Sequence, residues 1–201
     1  MKAPPRPYHH GNLREALLRA AEAGLEARGA GSLSLRELAR ELGVSHTSPR
    51  RHFADKQALL DALAESGFRR LSAALTAAAD AKSRNFEQRL ARTSLAFVEF
   101  ALGHPALWVM MLDAKHRAGA PRELMEAAGA AFAHLPRIVR EGQMEGKVAA
   151  GDPARLGLPL SAALLGLVSV SVNGKFKDFP LQELVPELTN RILLGLKPRK
   201  R

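Results

Sequence analysis

The amino-acid sequence predicts an all-α fold of about nine helices. Three observations carry this prediction: apolar residues recur every three or four positions, capping residues precede most of these stretches, and no stretch alternates between apolar and polar residues as a strand would. Apolar residues make up 46% of the chain and charged residues 25%, which is enough to build a core. The 201 residues suit one compact unit or two small ones.

The first predicted helix begins after Asn12, which can cap it, with Glu15 as the capping-box partner three residues later. Gly29 and Gly31 end it. Six residues of this helix fall on one face and are predicted to be buried: Leu13, Leu17, Ala20, Ala21, Gly24 and Leu25.

Three further helix starts follow closely. Ser34 can cap a short second helix that Gly43 ends, Ser45 can cap a third, and Asp55 can cap a fourth. The fourth helix is predicted to be long because apolar residues continue at helical spacing: Leu59, Leu60, Leu63, Gly67, Leu71 and Leu75.

After Ala81 the charge thins and longer amphipathic stretches follow. Pro105 opens a short apolar helix, and Pro121 opens one that reaches about Gly146 with a kink at Pro136. Asp152 before Pro153 is a helix start with proline at the first helical position. The first of these stretches carries Phe86, Leu90, Thr93, Phe97, Phe100 and His104 on one stripe, and the final helix carries Leu184, Leu188, Ile192 and Leu196.

The charge balance limits the class of partner. A formal net charge of +10 and a sequence pI of about 10.6 favour a polyanion, either nucleic acid or an anionic membrane surface, although a solvated basic surface explains the charge equally well. The absence of cysteine excludes disulfides, thiol catalysis and thiolate metal sites, and it is compatible with a reducing cytoplasm.

Both ends and one apolar segment allow two interpretations. Residues 1–10 predict a flexible, basic, proline-rich arm with no secretory signal, and residues 197–201 a basic tail; both either follow a phosphate backbone or are simply solvated. Residues 156–174 carry no charge, but Pro159, three serines and Asn173 favour a buried helix in a soluble core or subunit interface over a membrane span.

Residues 33–53 carry the pattern of a helix-turn-helix. Two short helices meet at Gly43, where glycine permits a left-handed backbone, and small apolar residues let the helices cross closely. The second helix opens with short polar side chains that can reach bases or phosphates, and cationic residues follow. An ordinary helical hairpin with polar outer faces is the alternative.

The wider context resembles the TetR family of transcriptional regulators. YHHGNLREALLRAA looks like that family's first helix, LSLRELARELGVS like its second helix and turn, and RHFADKQALLDAL like the end of its recognition helix and the start of its fourth helix. The resemblance runs from Tyr8 to Leu63, and HPALWVMML is similar to a segment of some members' ligand-binding domains.

The resemblance implies a set of DNA-contacting residues. They are Ser34, Arg36, Ser45, His46, Thr47, Ser48, Arg50, Arg51, His52 and Lys56. The chain departs from the family where Leu-Tyr is common and Pro49-Arg50 stands instead. Proline at position 49 is expected to shorten or distort the recognition helix, and Arg50 replaces an aromatic hydroxyl with a charge.

The resemblance also implies a second domain that binds a small, apolar effector and forms a homodimer. The domains would be residues 11–55 for DNA binding and 56–196 for ligand binding and dimerisation. The predicted pocket residues are Phe97, Phe100, Leu107, Trp108, Met111, Met125, Phe132 and Leu165; each alone is more often a core residue than a ligand contact, and it is the group that favours a pocket. The predicted dimer interface residues are Leu160, Leu164, Leu167, Leu184, Leu188 and Ile192.

The predicted function is a cytoplasmic, ligand-responsive repressor that binds a near-palindromic operator on double-stranded DNA. The seven histidines form no catalytic or metal-binding motif, so the sequence predicts no enzyme, no metal and no cofactor; His104 and His134 either line the pocket or bind local carbonyls. The alternatives are a non-specific DNA-compacting protein and a membrane-associated helical protein.

Overall fold

The computed structural model describes residues 13–80, 85–172 and 180–197. Within these ranges the chain forms nine α-helices, as the sequence predicts. The Asn12 cap, the N-terminal arm and all of the basic tail beyond Lys197 lie outside the described residues. The helices are α1 (Leu13–Arg28), α2 (Leu35–Glu41), α3 (Lys56–Asp80), α4 (Phe86–Gly103), α5 (Pro105–His116), α6 (Arg122–Phe132), α7 (His134–Met144), α8 (Pro153–Val172) and α9 (Leu181–Leu196).

The turn after α2 forms as the sequence predicts. The Ser34 hydroxyl accepts a hydrogen bond from the Glu37 amide at 3.1 Å and so caps α2. Gly43 has φ +65°, its amide donates to Arg40 O at 3.2 Å, and the Val44 amide donates to Ala39 O at 3.0 Å. This pair of bonds is a Schellman motif, which requires a left-handed residue and therefore favours glycine.

The third predicted α-helix, which would begin at Ser45, does not form. The chain makes a turn and then a short 3-10 helix, Pro49–Arg51, with hydrogen bonds from Ser48 N to Ser45 O and from Arg51 N to Ser48 O. An α-helix from Ser45 would need a bond from the amide of residue 49, which proline lacks, and the proline ring would clash with Ser45 O. Pro49 therefore replaces the recognition helix with a tighter turn.

The helix α3 forms the centre of the molecule. Asp55 caps it by accepting a hydrogen bond from the Ala58 amide at 2.8 Å, as predicted. It packs against α1 at its start and against α4, α5 and α6 along its length. Its buried side chains, among them Leu59, Phe68 and Leu71, link the core of the N-terminal segment to the core of the rest.

The single kinked helix predicted between Pro121 and Gly146 is two helices. The break falls at Ala133 between α6 and α7, and Pro136 lies in the first turn of α7. Proline cannot donate to the carbonyl four residues earlier, that of Phe132, and its ring collides with it. The helix therefore ends at Phe132, four residues before the proline.

The predicted helix starts at Pro105 and Asp152 are confirmed, whereas the Asn85 cap of α4 was not predicted from the sequence. The Asn85 side chain caps α4 at the Glu87 amide (2.9 Å), Asp152 caps α8 at the Ala154 amide (3.1 Å), and Pro105 occupies the first turn of α5. α9 packs against α4 and α8. This arrangement leaves one face of α8 outside the core.

Two polar contacts join the N-terminal segment, which comprises α1, α2 and the turn, to the rest of the molecule. Glu26 on α1 accepts hydrogen bonds from the Ala106 and Leu107 amides at 3.2 and 3.0 Å and so caps the start of α5. Arg70 on α3 binds Glu22 at 2.6 Å and contacts His104 Nε2 at 3.1 Å.

A separate contact lies at the other end of α5 and joins α3 to the chain that follows α5. Arg117 binds Asp61 at 2.6 Å, and Asp61 is buried. Since a buried carboxylate needs a partner, this pair fixes the chain after α5 against the first half of α3.

Gly142 on α7 permits a close contact with α4. A Cβ atom at this position would lie 2.5 Å from two ring atoms of Phe86 and 2.8 Å from Val148 Cγ2. Phe86 is 1% exposed, so its ring has no free space to move into.

We expect Gly142→Ala to lower the free energy of unfolding, measured by urea denaturation at fixed protein concentration. Overpacking a core costs about 1–3 kcal/mol, which exceeds the roughly 0.5–1 kcal/mol that alanine gains over glycine in a helix. Gly129→Ala on α6 is the matched control, because no atom lies within 4 Å of its Cβ position. The control should be slightly more stable than the wild type. If G142A were stabilised as much as the control, the close contact between Gly142 and the Phe86 ring would be contradicted.

Candidate nucleic-acid interface and ligand cavity

A surface depression between α2 and the turn brings together six of the ten predicted DNA-contacting residues. Its lining contains Ser34, Arg36, His46, Thr47, Arg50 and Lys56, together with Leu35, Ala54 and Asp55. Arg51 and His52 are exposed at the end of the same 3-10 turn and do not line the depression. The structure therefore places three of the predicted cationic residues, Arg36, Arg50 and Lys56, in one depression.

The cations of this surface differ in how they are held. Within the described residues, Arg36, Arg50 and Arg51 have no ion-pair partner, whereas Lys56 donates a hydrogen bond to Gly31 O at 2.9 Å. An ammonium has three donors, so Lys56 keeps two for a phosphate. Sequence reasoning missed Arg40, which lines a neighbouring depression with Arg36 and His46. Its position one turn after Arg36 was the available signal.

The short hydroxyl side chains of the turn bind one another. Ser45 Oγ lies 2.8 Å from Ser48 Oγ and 3.1 Å from Thr47 Oγ1. Ser45 thus orders the turn instead of capping a helix. Pro49 is buried and Phe53 is 3% exposed with the Arg14 guanidinium over its ring, so apolar contacts anchor the end of the segment.

A second feature is a cavity of about 250 Å³ in the C-terminal half. It lies between α3, α4, α5, α6, α7 and α8, and most of its surface is apolar. Its lining residues are Leu75, Leu90, Thr93, Ser94, Phe97, Lys115, Ala131, Phe132, His134, Leu135, Ser161, Leu164 and Leu165.

Three of the eight predicted pocket residues line this cavity: Phe97, Phe132 and Leu165. Leu107, Trp108 and Met111 are core residues instead, and Trp108 contacts Phe97 edge-to-face with ring centroids 5.3 Å apart. Phe100 lies beside His104 and the Arg70 guanidinium, and Met125 is 46% exposed. Aromatic and thioether character does not distinguish a lining residue from a core residue, which explains why five of the predicted residues do not line this cavity.

Two ionisable groups line the cavity. Lys115 places its Nζ 4.0 Å from the centroid of the Phe132 ring, and burial lowers the pKa of its ammonium below the usual range. His134 is 9% exposed; its Nε2 lies 3.0 Å from Ser72 Oγ, and its Nδ1 has no partner among the described residues. Burial first, and then the Arg137 guanidinium, lower the pKa of the His134 ring, outweighing the opposite effect of Asp80.

The structure places the predicted dimer residues of α8 inside the protomer. Leu160, Leu164 and Leu167 are buried, and Leu164 lines the cavity; Leu184, Leu188 and Ile192 on α9 are half-buried. The opposite face of α8 is apolar and exposed, with Leu158 at 61% and Val172 at 52%; Leu165, which also lines the cavity, is 39% exposed. α8 is apolar around most of its circumference, so the sequence alone does not show which face packs inward.

Helix α8 is also long and apolar enough to cross a membrane, by length and composition alone. Within the described residues the α4–α5 pair meets the same criterion only if both sides of its 102° bend are counted as one span. Core helices and interface helices of other proteins have such compositions too. In the part of the chain that the structure describes, no group of three or more His, Asp or Glu residues could hold a metal ion.

Two family models match the chain. Residues 17–63 match bacterial regulatory proteins of the tetR family, and residues 90–192 match the tetracyclin repressor-like C-terminal domain. No curated protein matches the chain.

Solved structures agree with these matches over nearly the whole length. A protein with unknown function from Rhodococcus sp. RHA1 is 43% identical with a TM-score of 0.89, over 96% of this chain and 100% of that chain. The TetR family transcriptional regulator PfmR from Thermus thermophilus is 22% identical with a TM-score of 0.68, over 92% and 98%. The fatty acid degradation regulator FadR from Bacillus halodurans is 17% identical with a TM-score of 0.74, over 99% and 100%.

Proposed function

The chain belongs to the TetR family of bacterial transcriptional regulators, and from this premise we propose that it is a repressor that binds a near-palindromic operator as a homodimer and is released by a small, largely apolar molecule. Members of this family are DNA-binding regulators and not enzymes. An operator on chromosomal DNA places the site of action in the cytoplasm.

The cationic surface around the turn is the observation that carries DNA binding. Arg36, Arg50 and Lys56 share one depression, and Arg51 extends the positive charge beside it. Neutralisation of phosphates by such groups supplies much of the affinity of a protein for DNA and makes it dependent on salt. His46 and Thr47 lie in the same depression and are the candidates for contacts with base edges.

The exposed face of α8 supports a homodimer. It carries Leu158, Leu165 and Val172, all at least 39% exposed. In a two-fold symmetric dimer, each copy would bury this face against the same face of the other copy. A dimer presents two DNA-binding surfaces, as a palindromic site requires. A membrane would cover the same face, and that alternative predicts that the protein sediments with membranes after lysis.

The cavity supports control by an effector. Its lining joins α3, which carries the DNA-binding segment, to α8, which carries the proposed dimer face. An effector shifts such a protein only if it binds the released conformation more tightly than the DNA-bound one. Because the cavity lies between these two elements, its shape changes when they move, and an effector can therefore bind the two conformations with different affinity.

Selection of bound sequences from a random DNA pool tests this proposal. We expect enrichment of one near-palindromic sequence whose half-sites are separated by about one helical turn or a multiple of it. A non-specific DNA-compacting protein is the second candidate, supported only by the positive charge. Uniform retention of any duplex, with no enriched sequence, would favour that candidate and exclude the repressor.

A further inference from the structure

The lining of the cavity contains a cationic side chain but no carboxylate that could balance its charge. Lys115 and His134 are its ionisable residues, and no carboxylate lines it. Within the described residues Lys115 has no ion-pair partner; its ammonium contacts the face of Phe132 instead. A cation held at an apolar cavity without an anion carries a desolvation cost that a bound anion would relieve.

His134 adds no second charge to the lining. Its ring is 9% exposed, and Nδ1 is buried without a partner while Nε2 lies 3.0 Å from Ser72 Oγ. Burial lowers the pKa of the ring and so favours its neutral form at neutral pH. Lys115 is therefore the charged group that a ligand in the cavity meets.

The rest of the lining limits the body of the ligand. Leu75, Leu90, Phe97 and Leu164 present hydrocarbon, and the Thr93 hydroxyl is already used by its bond to Arg89 O at 2.9 Å. The volume of about 250 Å³ equals that of about eight water molecules at roughly 30 Å³ each. Since a methylene group fills about as much space as a water molecule, an alkyl chain of about eight carbons or a single aromatic ring fits.

From these groups we infer that the effector is a compact amphipathic carboxylic acid, with its carboxylate against Lys115 Nζ and its hydrocarbon among the leucines and Phe97. This inference rests on the proposed effector function of the cavity. The single ammonium of Lys115 balances a single negative charge. A phosphate ester would bring a second charge that no group lining the cavity neutralises.

Calorimetry on the full chain with sodium octanoate, octanamide and octylamine tests the inference. The three probes share an eight-carbon chain and differ in charge. We expect octanoate to bind at least about tenfold more tightly than octanamide, the size of one charge-assisted hydrogen bond, and octylamine to bind most weakly. Trp108 fluorescence gives a second readout because its ring contacts Phe97 of the lining. Equal binding of octanoate and octanamide would overturn the inference.

The variants Lys115→Met and Lys115→Arg locate the charge preference. In K115M the preference for octanoate over octanamide should disappear while octanamide binds as before, and K115R should retain the preference. Lys147→Met, which removes a lysine outside the cavity, is the control and should behave as the wild type. A K115M protein that keeps the preference would overturn the inference. If K115M does not fold, the wild-type comparison decides alone.

The result is separable from the proposed function. Hexanoate and decanoate extend the probe series in both directions, and no binding by any of the three acids would overturn the inference even if the protein selects an operator. Octanoate binding with the expected preference in a protein that enriches no DNA sequence would support the inference and contradict the repressor.

Discussion

Replacing Arg50 and Arg51 together by alanine is expected to weaken operator binding by roughly thirty- to seven-hundredfold at about 0.1 M salt. Both guanidinium groups are exposed on the 3-10 turn and have no ion-pair partner among the described residues. A dimer would lose four phosphate contacts, which at about 0.5–1 kcal/mol each amount to about 2–4 kcal/mol. The slope of log affinity against log salt should also fall by about 0.9 for each phosphate that is no longer neutralised.

The matched control removes two arginines from other surfaces. Arg69→Ala with Arg122→Ala deletes the same charge from side chains that are 67% and 85% exposed and pair with a glutamate on their own helix. Titration of labelled operator at two salt concentrations distinguishes the two proteins. Unchanged affinity in R50A/R51A, or an equal loss in the control, would contradict the contribution of the turn.

A single charge on the exposed face of α8 is expected to have the second large effect. Leu158→Asp should convert the dimer to a monomer, because the substitution occurs twice in a two-fold interface and each leucine contributes about 1.5–3 kcal/mol when buried. The dimer dissociation constant should rise by roughly a hundredfold to ten-thousandfold. Operator affinity should fall with it, since a monomer reads one half-site.

Val109→Asp is the control for this variant. Val109 on α5 is 56% exposed, so it receives the same charge in a similar setting on another helix. Sedimentation equilibrium should give a dimer for V109D and a monomer for L158D, with equal helical content by circular dichroism. A dimeric L158D protein would show that the dimer interface does not lie on this face of α8.

Local chemistry made most of the fold predictable. Helix starts at Ser34, Asp55 and Asp152 and the end at Gly43 are confirmed by hydrogen bonds or backbone angles at those residues. Each depends on a side chain and a few neighbouring peptide groups, so a short window of sequence contains all the necessary information. The family resemblance from Tyr8 to Leu63 added the order of these elements and a set of residues predicted to contact DNA.

Proline was recognised but its effect was underestimated at two places. At Pro49 the sequence indicated a shortened or distorted recognition helix, and the structure has a turn with one 3-10 helix instead. At Pro136 the kink became a complete break three residues earlier. In both places the missing amide bond and the ring clash act on the carbonyl four residues back, so the disturbance precedes the proline.

The cavity and the faces of α8 were not predictable because they depend on contacts distant in sequence. Leu160 and Leu158 are equally apolar, and only the packing against the rest of the protomer buries the first and exposes the second. Lys115 was absent from the predicted pocket because a lysine is ordinarily a surface residue.

The cap that Glu26 supplies to α5 gives this helix a different partner at each end. Its first amides are bound by the N-terminal segment, and its last turn carries the cavity lysine, Lys115. Hydrogen bonds weaken steeply when their atoms are displaced slightly, whereas apolar contacts tolerate small displacements. The Ala106 and Leu107 amide hydrogens are therefore protected from exchange only while Glu26 remains hydrogen-bonded to them. Comparing their rates of exchange with deuterium with and without a ligand in the cavity would show whether the N-terminal segment shifts relative to α5.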